Sequence, residues 1–520
     1  MISISHSTPH LFALLTLLLT AVLVLHRKLA QRARTLPPGP PPNSWLFGHN
    51  LPRAFAYRKF EEWTKTYGPI FSLRQGLTTV VVIGRYEAAV DIMEREGAAL
   101  VDRPTSIAAG ETLSGGMRVL LTPAGDRFKK MRKALHAHLS PTVVQTYGPV
   151  LMSNARTHIL DILDDPDIHQ EHAKRYSASV VMALAYGKKA GGHDDPDVLA
   201  VNRCLVRLGV NLRPGLWKVD VFPFLKYVPG YLDELKAGHR EELALFKKYL
   251  GIVREQMNTP TPLPPSFAKY LLERQPSLSL TDNETAYLAG ALFGAGSDTT
   301  ASAISVAVLA AACYPDAARR VQDEIDMVVG RERPPTPADW EAGAMPQLQA
   351  FVLETFRWRP VTAGGFAHKA TKPIPYKNYI IPRGATVIGN VWSVGRDPKY
   401  FPDPEKFDPQ RWIRHNGDEE EDGTLRDDLK GYTFGFGRRV CPGQWIATAS
   451  VMLNTALIQW AFTVRADPKR PIDELAFTES ANAHPEKFSV VFEPRVEGGR
   501  EGIKRMLSGY GGEGEGVREG

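Results

Sequence analysis

The spacing of apolar positions along this 520-residue chain predicts a mainly helical protein. One amphipathic helix is predicted from Pro315 to residue 329, just before Gly330, and a second opens at Pro346. Their apolar faces consist of Ala318, Val321, Ile325 and Val328 in the first helix and of Leu348, Phe351, Val352 and Thr355 in the second. Such faces are typical of helices that pack on a core.

The longest predicted helix begins at a capping box formed by Thr281 and Glu284 and continues to about Cys313, where Pro315 ends it. A helix of about 30 residues would cross a whole domain. Strand patterns are few, and they lie at residues 70–73, 78–83, 379–381 and 488–492. The first two are separated by Gly76 and predict a hairpin.

The N-terminal residues predict a membrane anchor. Residues 11–25 are an unbroken apolar run, about 22 Å long as a helix, so crossing a hydrocarbon core of about 30 Å requires the residues before it as well. Basic residues follow this run and none precedes it, which predicts a signal anchor over residues 1–30 with a cytoplasmic catalytic domain. A cleaved signal peptide is the alternative, but the positive n-region and the Ala-x-Ala site are missing.

The remaining chain divides by composition. A basic and proline-rich hinge covers residues 31–44, one large domain covers 45–500, and a tail rich in Gly and Glu, predicted to be disordered, covers 501–520. With 63 Lys and Arg against 57 Asp and Glu, the net charge of +6 is too small to indicate nucleic-acid binding. Three cysteines without close pairs exclude a disulfide framework, and Cys204 and Cys313 are interpreted as inert side chains in apolar helices.

The strongest chemical signal is the run FGFGRRVCPG at residues 434–443. Its glycines let the backbone turn around Cys441 just before an apolar helix begins. Backbone N–H donors and the positive end of that helix should lower the pKa of the thiol and suit it to a metal. A thiolate ligand on haem iron favours O–O cleavage, and Arg439 lies two residues away, where it can pair with a haem propionate.

The same run matches every fixed position of Phe-x-x-Gly-x-Arg-x-Cys-x-Gly, and the chain therefore resembles the cytochromes P-450, the haem-thiolate monooxygenases. The resemblance implies a haem b with Cys441 as the axial iron ligand and with Phe434, Gly437 and Arg439 at the cofactor. It also implies a mainly α fold with a small β region (α+β), in which the haem lies between the long helix and the Cys441 loop.

A Glu-x-x-Arg motif, Glu354 and Arg357, lies upstream on the helix opened by Pro346, and Arg411 lies between that motif and the cysteine. By spacing alone, Glu354 and Arg357 could be no more than a surface ion pair. The resemblance implies instead that the three residues form a buried triad that holds the cysteine loop.

The long helix carries AGSDTT at residues 295–300 near its middle. In isolation such polar residues could simply bond back to the helix backbone and bend it. The family's oxygen-side motif is an acid followed by an alcohol. The resemblance therefore implies that Thr299 hydrogen-bonds the oxygen at the iron and that Asp298 connects Thr299 to a proton supply through water.

Two further residues are predicted at the haem propionates. Residues 125–133 resemble the family's Trp-x-x-x-Arg helix, in which Arg132 can reach a propionate while Phe128, at the tryptophan position, has no indole N–H to donate. His368 lies where many members place another propionate donor, and an ordinary buried histidine is the alternative. Two histidine pairs lack the further ligands of a zinc site and are interpreted as exposed helical residues: His136 with His138, and His169 with His172.

Electrons must come from a partner, because the chain has no dinucleotide or phosphate-binding glycine motif of its own. The resemblance implies NADPH acting through a membrane-bound NADPH-cytochrome P-450 reductase, with cytochrome b5 as a second candidate partner. An acidic reductase could dock on the basic cluster Arg127, Lys129, Lys130 and Lys133, although a merely solvated face is the alternative.

The implied activity is the insertion of one atom of dioxygen into a lipophilic small molecule at the endoplasmic reticulum membrane, in secondary metabolism or xenobiotic breakdown. The distal pocket is expected to be lined by residues 107–119, 361–366 and 478–483, which are mostly small or apolar. Two alternatives stay open. Some relatives rearrange peroxides without outside electrons, although they tend to lose the acid–alcohol pair that is intact here, and a membrane-tethered haem or ligand carrier would not be an enzyme.

Overall fold

Helices make up most of the protein, as the apolar spacing predicts. The computed structural model describes residues 35–511 except 46, 53, 189–194, 214, 415–422, 427 and 430, together with residues 16, 17 and 20. Apart from those three positions and the end of the hinge, the predicted anchor and the residues that join it to the domain lie outside the described residues. So does the acidic insertion at 418–422.

The α-helices of the described domain are numbered here in chain order. They are α1 (Ala56–Tyr67), α2 (Tyr86–Ala89), α3 (Asp126–Leu139), α4 (Pro141–Gln145), α5 (Gly148–Asp164), α6 (His169–Tyr186), α7 (Pro196–Asn211), α8 (Asp233–Met257), α9 (Phe267–Leu278), α10 (Asp282–Cys313), α11 (Pro315–Val328), α12 (Pro346–Trp358), α13 (Val391–Val394), α14 (Gln444–Ala461) and α15 (Gly499–Leu507). Short 3₁₀ turns include Pro409–Trp412 and Gly437–Arg439, and Val90–Arg95 and Ile107–Leu113 are π-helical.

Three small sheets complete the fold. The strands are β1 (Ile70–Gln75), β2 (Thr78–Ile83), β3 (His368–Lys369), β4 (Ile374–Tyr376), β5 (Tyr379–Ile381), β6 (Thr386–Gly389), β7 (Phe462–Ala466) and β8 (Val490–Pro494). One sheet has the order β1-β2-β6-β3, in which β1 and β2 form the predicted antiparallel hairpin and β2 runs parallel to β6. The pairs β4–β5 and β7–β8 stand alone. The small β region is therefore confirmed, with the last strand two residues later than predicted.

The helix α10 runs through the middle of the core. Its predicted capping box is present, all of its residues from 300 to 312 are buried, and it packs against α6, α12 and α14. Among the described residues α10 is also the one helix long and apolar enough to cross a membrane, but 72% of its most apolar window is buried inside the protein. Its apolar surface is therefore accounted for by the core.

Four predictions need correction here. Val328 is exposed, because α11 ends at that residue, beyond the face formed by Ala318, Val321 and Ile325. Part of the predicted disordered tail is the helix α15, and the histidines interpreted as exposed are mostly buried. In the tail, Ile503, Leu507 and Tyr510 pack on the main core. The buried histidines are His138, His169 and His172. Apolar positions at helical spacing within a Gly- and Glu-rich stretch explain the ordered tail.

The fourth correction concerns the hinge, whose last part is packed against β1. The Ser72 N–H and hydroxyl donate to the carbonyl oxygens of Pro38 and Pro37, at 2.8 and 2.6 Å. A side chain on Gly39 would meet the Ser72 carbonyl oxygen at 2.0 Å. The extended proline-rich segment therefore belongs to the domain from residue 37 onward.

Candidate active site

A cavity of about 850 Å³ lies between α10 and the loop that carries Cys441. Ala295, Thr299 and Ala303 of α10 line one wall, and Phe434 and Cys441 line the other. The volume is within the range of sites that bind cofactors and small molecules. The structure thus brings together the two motifs that the sequence places 142 residues apart, at Thr299 and Cys441.

The loop around Cys441 is closed by its own backbone. The Cys441 N–H donates to the Phe434 carbonyl at 2.8 Å, which folds the chain back on itself just before α14 begins. Gly437 has a positive φ of 54°, and a side chain there would come within 3.1 Å of Gly97. Gly437, which was predicted at the cofactor, is therefore needed for the turn and its packing, whereas Gly435 and Gly443 are the loop glycines that line the cavity.

The Cys441 thiol does not have a lowered pKa in the protein alone, contrary to the expectation from helix dipole and backbone donors. Burial raises the pKa of Cys441, and the Gly443 N–H and the Arg132 charge lower it by less. The described residues hold no group of His, Cys, Asp or Glu that could bind a metal as a cluster. A thiolate at this position therefore calls for a metal that displaces the proton by binding the sulfur.

Four arginines that line the cavity have no ion-pair partner among the described carboxylates. Arg103, Arg132 and Arg439 lie close to one another, and Arg213 donates to the Glu479 carbonyl at 2.9 Å. Burial, and then the charge of Arg439, lower the pKa of Arg103 to about 9, and burial lowers the pKa of Arg439 to about 10. Arg103 was missed in the sequence, because no motif surrounds it. A buried cationic edge of this kind is suited to carboxylates of a bound group, and with the thiol opposite α10 this donor set fits a haem and its two propionates.

Phe128 compensates for part of what the tryptophan position usually supplies. The Arg439 guanidinium lies over the Phe128 ring, 3.5 Å from its centroid, and Phe128 is 5% exposed. Arg439 also donates to the carbonyls of Val101 and Thr122, at 2.7 and 2.8 Å. The departure from the family pattern therefore removes an indole N–H and leaves an aromatic face that holds Arg439 in place.

Arg132 and His368 both lie at the cavity, in different states. Arg132 donates to the Val440 carbonyl at 2.8 Å, so α3 is fastened to the cysteine loop. His368 Nδ1 lies 2.6 Å from the Leu100 carbonyl, which can only accept, so Nδ1 carries the proton. Burial and the charge of Arg103 lower the pKa of His368 to about 3. The neutral imidazole then offers an acceptor at Nε2, which favours the ordinary buried histidine over the propionate donor.

On the α10 side, Thr299 and Asp298 face different partners. The Thr299 hydroxyl donates to the Ala295 carbonyl at 2.9 Å, which is the local back-bond that the sequence leaves open as an alternative. Gly296 lies beside Thr299 in the helix, and a side chain there would clash with Val181 at 2.7 Å. The small residues of the motif therefore let α6 approach α10 closely at this point.

Asp298 is bound by Asn482, which lies in the predicted pocket segment 478–483, and by His484 just after it, and neither contact with Asp298 was predicted. Asn482 Nδ2 donates to Asp298 Oδ2 at 2.9 Å, and His484 Nε2 lies 2.8 Å from Oδ1. Burial by itself would raise the pKa of Asp298, but the contacts with His484 and Asn482 outweigh it and lower the pKa. No periodicity marks Asn482 or His484, so only the fold reveals these contacts.

The predicted Glu354 triad is brought together in the interior. Arg357 makes a bidentate pair with Glu354 at 2.7 Å for both bonds, and Arg411 Nε donates to Glu354 Oε1 at 3.0 Å. Glu354 also accepts from the Trp412 indole and the Asp408 N–H, both at 2.9 Å. The side chains of Glu354 and Arg357 are fully buried, so the surface ion pair of the simpler interpretation is excluded.

Only part of the predicted substrate-binding segments reaches the cavity. From residues 107–119, Arg118 and Val119 line it, whereas Ile107, Ala109 and Leu113 pack in a separate apolar cluster. Residues from 361–366 and all of 478–482 line it as expected. The sequence analysis missed the walls supplied by α6 and α7, whose lining residues include Val180, Val181, Leu205 and Leu208.

Comparison with known proteins identifies relatives over nearly the whole chain. The family model described as Cytochrome P450 matches residues 37–492. Cytochrome P450 monooxygenase 64 of Postia placenta is 51% identical over 485 residues, covering 93% of this chain and 96% of that protein. Cytochrome P450 monooxygenase 113 of the same fungus is 51% identical over 466 residues, covering 89% and 92%. A cytochrome P450 monooxygenase of Armillaria gallica is 32% identical over 511 residues, covering 95% and 97%.

Proposed function

The chain belongs to the cytochrome P450 family and is a cytochrome P450 monooxygenase, and we propose that it uses NADPH electrons, delivered by a membrane-bound reductase, to oxidise a lipophilic small molecule in secondary metabolism. The observation that carries this proposal is the cavity bounded by the Cys441 thiol, the Thr299 hydroxyl and an edge of unpaired arginines. That combination suits a haem-dependent oxidation, and the Thr299 hydroxyl with its neighbour Asp298 favours it over a haem carrier, which needs no proton donor.

In this proposal the Cys441 sulfur would bind the iron of haem b, and Arg132, Arg439 and Arg103 would hold the propionates. Bound haem supplies the iron that activates dioxygen, and a thiolate ligand favours O–O cleavage. The rest of the chain excludes water and fixes orientation. Phe434, at the wall of the cavity, packs edge-on against Phe356 with ring centroids 5.2 Å apart, and it shields the sulfur.

Thr299 and Asp298 would move protons on the opposite side of the cavity. The Thr299 hydroxyl can rotate from the Ala295 carbonyl toward the cavity, at the cost of one ordinary hydrogen bond, about 1 kcal/mol. Asp298, whose lowered pKa keeps it ionised at neutral pH, can take a proton from solvent and pass it on through water.

A reductase would dock beside the cysteine loop. Arg132 points inward from α3 to Val440, and the basic residues on the opposite face of α3 are exposed, with Arg438 of the loop exposed nearby. Arg127 pairs with Glu284 and Lys129 with Asp126, which leaves Lys130 and Lys133 as the stronger attraction for an acidic partner. Lys130→Glu with Lys133→Glu should slow electron transfer, most strongly at low salt, whereas Lys236→Glu on α8 is the matched control.

A membrane surface is the proposed location, with the catalytic domain on the cytoplasmic side of the endoplasmic reticulum. An apolar patch of exposed side chains supports this, and its members are Trp45, Phe47, Leu77, Val221, Phe222, Phe224, Tyr227 and Val228. Arg74 donates to the Ser44 carbonyl at 2.9 Å, so the chain enters the domain beside this patch. An N-terminal anchor and the patch would then contact the same bilayer.

The decisive experiment is the spectrum of the reduced protein with carbon monoxide. We expect the red-shifted Soret band that a thiolate–iron bond gives, and its loss in Cys441→Ser. The haem-thiolate assignment would be refuted if the wild type lacked the red-shifted Soret band, or if Cys441→Ser kept it. NADPH consumption with a reductase and a panel of lipophilic compounds then separates the monooxygenase from a carrier and identifies the substrate class.

A further inference from the structure

We propose that His484 is a positioning residue that feeds protons to Asp298 during turnover and thereby sets the pH range in which oxygen consumption stays coupled to product formation. The inference rests on the proposed roles of Asp298 and Thr299 in proton delivery. It adds a third member to that pair, supplied by a segment that lies 186 residues after Asp298 in the chain.

The contact between the two side chains is short and excludes other partners. His484 Nε2 lies 2.8 Å from Asp298 Oδ1, within ion-pair distance, although the N–H is not aligned as a hydrogen bond with this oxygen or with any other described group. The exposed fractions are 17% for the His484 side chain and 29% for that of Asp298. The carboxylate is therefore the polar group that the buried imidazole nitrogen meets, and both side chains line the cavity.

The segment that carries His484 is fastened on both sides. The Ser302 hydroxyl on α10 donates to the Ala483 carbonyl at 2.6 Å, and the Ala483 N–H donates to the Val361 carbonyl at 2.7 Å. His484 and Thr478 exchange bonds, because the His484 N–H donates to the Thr478 hydroxyl at 3.0 Å and the Thr478 N–H to the His484 carbonyl at 2.8 Å. The imidazole is thus held beside Asp298 without depending on the pair itself.

The cavity wall continues from this pair to solvent. Gln170 of α6 donates to the Pro485 carbonyl at 3.1 Å, and beyond it the wall includes Glu171 and Lys174. The Glu171 and Lys174 side chains are 47% and 41% exposed. Water in this part of the cavity can therefore carry protons from bulk solvent to the imidazole, while Thr299 lies on the inner side of Asp298.

The charges around the pair hold the proton on the imidazole and leave Asp298 ionised, so Asp298 accepts the proton only while it is passed on toward Thr299. From α6, Lys174 and Glu171 pair with each other at 2.7 Å and nearly cancel, and from its own segment His484 is followed by Glu486 and Lys487. The carboxylate of Asp298, on α10, is then the net charge that faces the imidazole. An imidazole exchanges protons between pH 5 and 8, which a carboxylate with a lowered pKa does not.

Each turnover would move protons only. Solvent water donates a proton to Nδ1 of the imidazole, and Nε2 passes its own proton to Asp298 Oδ1. The ring is left neutral with its proton on Nδ1, and exchange with water returns the proton to Nε2 before the next turnover. Asp298 then releases the proton toward Thr299 through water and returns to a carboxylate. No bond to carbon is made or broken in this relay, and no electron is transferred, so the step needs only solvent.

A purely structural role is the competing explanation, and the variants separate the two. His484→Gln keeps a hydrogen-bond donor of similar reach to Asp298 but cannot exchange a proton. Asn482→Ala is the matched control, because it removes the other donor to the same carboxylate and contains no titrating group. If His484 only anchors the loop, His484→Gln should resemble the wild type and Asn482→Ala should be the more damaging change.

The experiment measures product formed per NADPH consumed between pH 6 and 8, using the full chain with haem, reductase and an accepted substrate. We expect His484→Gln to lose about 10-fold in product per NADPH and to lose the pH dependence, while Asn482→Ala keeps the dependence. The second readout is thermal unfolding without turnover. The effects of Asp298→Asn and His484→Gln on the unfolding temperature, measured at pH 6 and pH 8, should be non-additive at one pH at least, because the two side chains are in direct contact.

Each result decides between the two claims. A wild-type pH profile in His484→Gln, together with an uncoupled Asp298→Asn, would overturn the role of His484 and leave the proposed function intact. Unchanged coupling in Asp298→Asn would instead refute the proton pathway of the proposed function. Should His484→Gln fail to hold haem, His484→Asn and the additivity of unfolding in haem-free protein provide the same test, and additivity at both pH values would overturn the inference.

Discussion

Two carboxylates of this protein are both held by side-chain donors, and they differ in the kind of donor and in their access to the cavity. Glu354, on α12, binds Arg357 and Arg411, and the three side chains are at most 7% exposed. Asp298, on α10, binds Asn482 and His484 and lines the cavity. The burial around Glu354 raises its pKa and the arginines lower it by more, so that both carboxylates are ionised.

The difference indicates which buried charge holds the fold and which serves chemistry. Guanidinium groups carry a permanent charge, so the Glu354 cluster has no proton to exchange and can only hold its neighbours in place. Arg357 also donates to the carbonyls of Gly395 and Pro404, both at 2.8 Å. An imidazole beside Asp298, open to the cavity, can change charge during the reaction.

The largest loss of stability is expected at the fully buried Glu354 cluster. Arg357→Gln should destabilise the protein by about 3–5 kcal/mol, because Glu354 would remain buried with half of its ionic partners removed. Thermal unfolding and the haem content of the purified protein measure this. The matched control is Arg319→Gln, which breaks another i,i+3 pair, with Asp316, at the surface and should cost less than about 1 kcal/mol. Equal losses in the two variants would show that burial does not separate the clusters.

The two clusters also differ in how far the sequence could predict them. Glu354 and Arg357 are neighbours on one helix, and the Cys441 loop is a continuous run, so a local motif contains nearly all of their geometry. The partners of Asp298 come from a segment without helical or strand periodicity, whose position depends on Ser302 and Val361. Spacing along the chain contains no information about such a contact.

Burial was the other property that the sequence left open. Periodic apolar faces predicted α11, α12 and the hairpin β1–β2 correctly, because each is a local pattern. The prediction that the histidines of α6 are exposed was wrong, because the exposure of a polar residue on a helix depends on which elements pack around that helix. His169 is covered by the β7–β8 sheet, which lies near the end of the chain.

The second effect concerns the cavity side of the comparison. Thr299→Ala should lower product formation by about 10- to 100-fold relative to NADPH consumed, which corresponds to the loss of a hydrogen bond to a charged group. Peroxide release should rise correspondingly, and both quantities can be measured in steady state. Thr300→Ala, on the next position of α10, is the control and should stay close to the wild type. If product formed per NADPH were unchanged in Thr299→Ala, the role of Thr299 in proton delivery would be refuted.

A third prediction tests whether burial, rather than the residue type, determines how a histidine responds to pH, and it uses the buried His158. His158 is 1% exposed and lies 2.6 Å from Asn454 Oδ1, and burial lowers the pKa of His158 to about 3. The unfolded chain then binds the extra proton between about pH 3 and 6.5, so stability is complete above that range and falls as the pH drops through it, by about 1.4 kcal/mol per unit. His158→Gln should flatten the stability profile between pH 6 and 5, whereas exposed His136→Gln should not. An unchanged slope in His158→Gln would contradict a neutral buried ring.

The smallest effect is expected from the hydrogen bond that fixes the segment of His484 to α10. Ser302 is fully buried, and its hydroxyl donates to the Ala483 carbonyl at 2.6 Å, so Ser302→Ala should cost about 1 kcal/mol and increase amide exchange at residues 483–484. Ser305→Ala is the matched control on the same helix, because the Ser305 hydroxyl only bonds back to Ala301 at 2.9 Å and its removal should be neutral or slightly stabilising. If exchange rises in Ser302→Ala while the pH profile of coupling is kept, the segment tolerates small movement as long as the imidazole stays within reach of Asp298. Were exchange unchanged, the position of His484 would depend on the ion pair itself, and the cavity cluster would resemble the Glu354 cluster more closely than its exposure suggests.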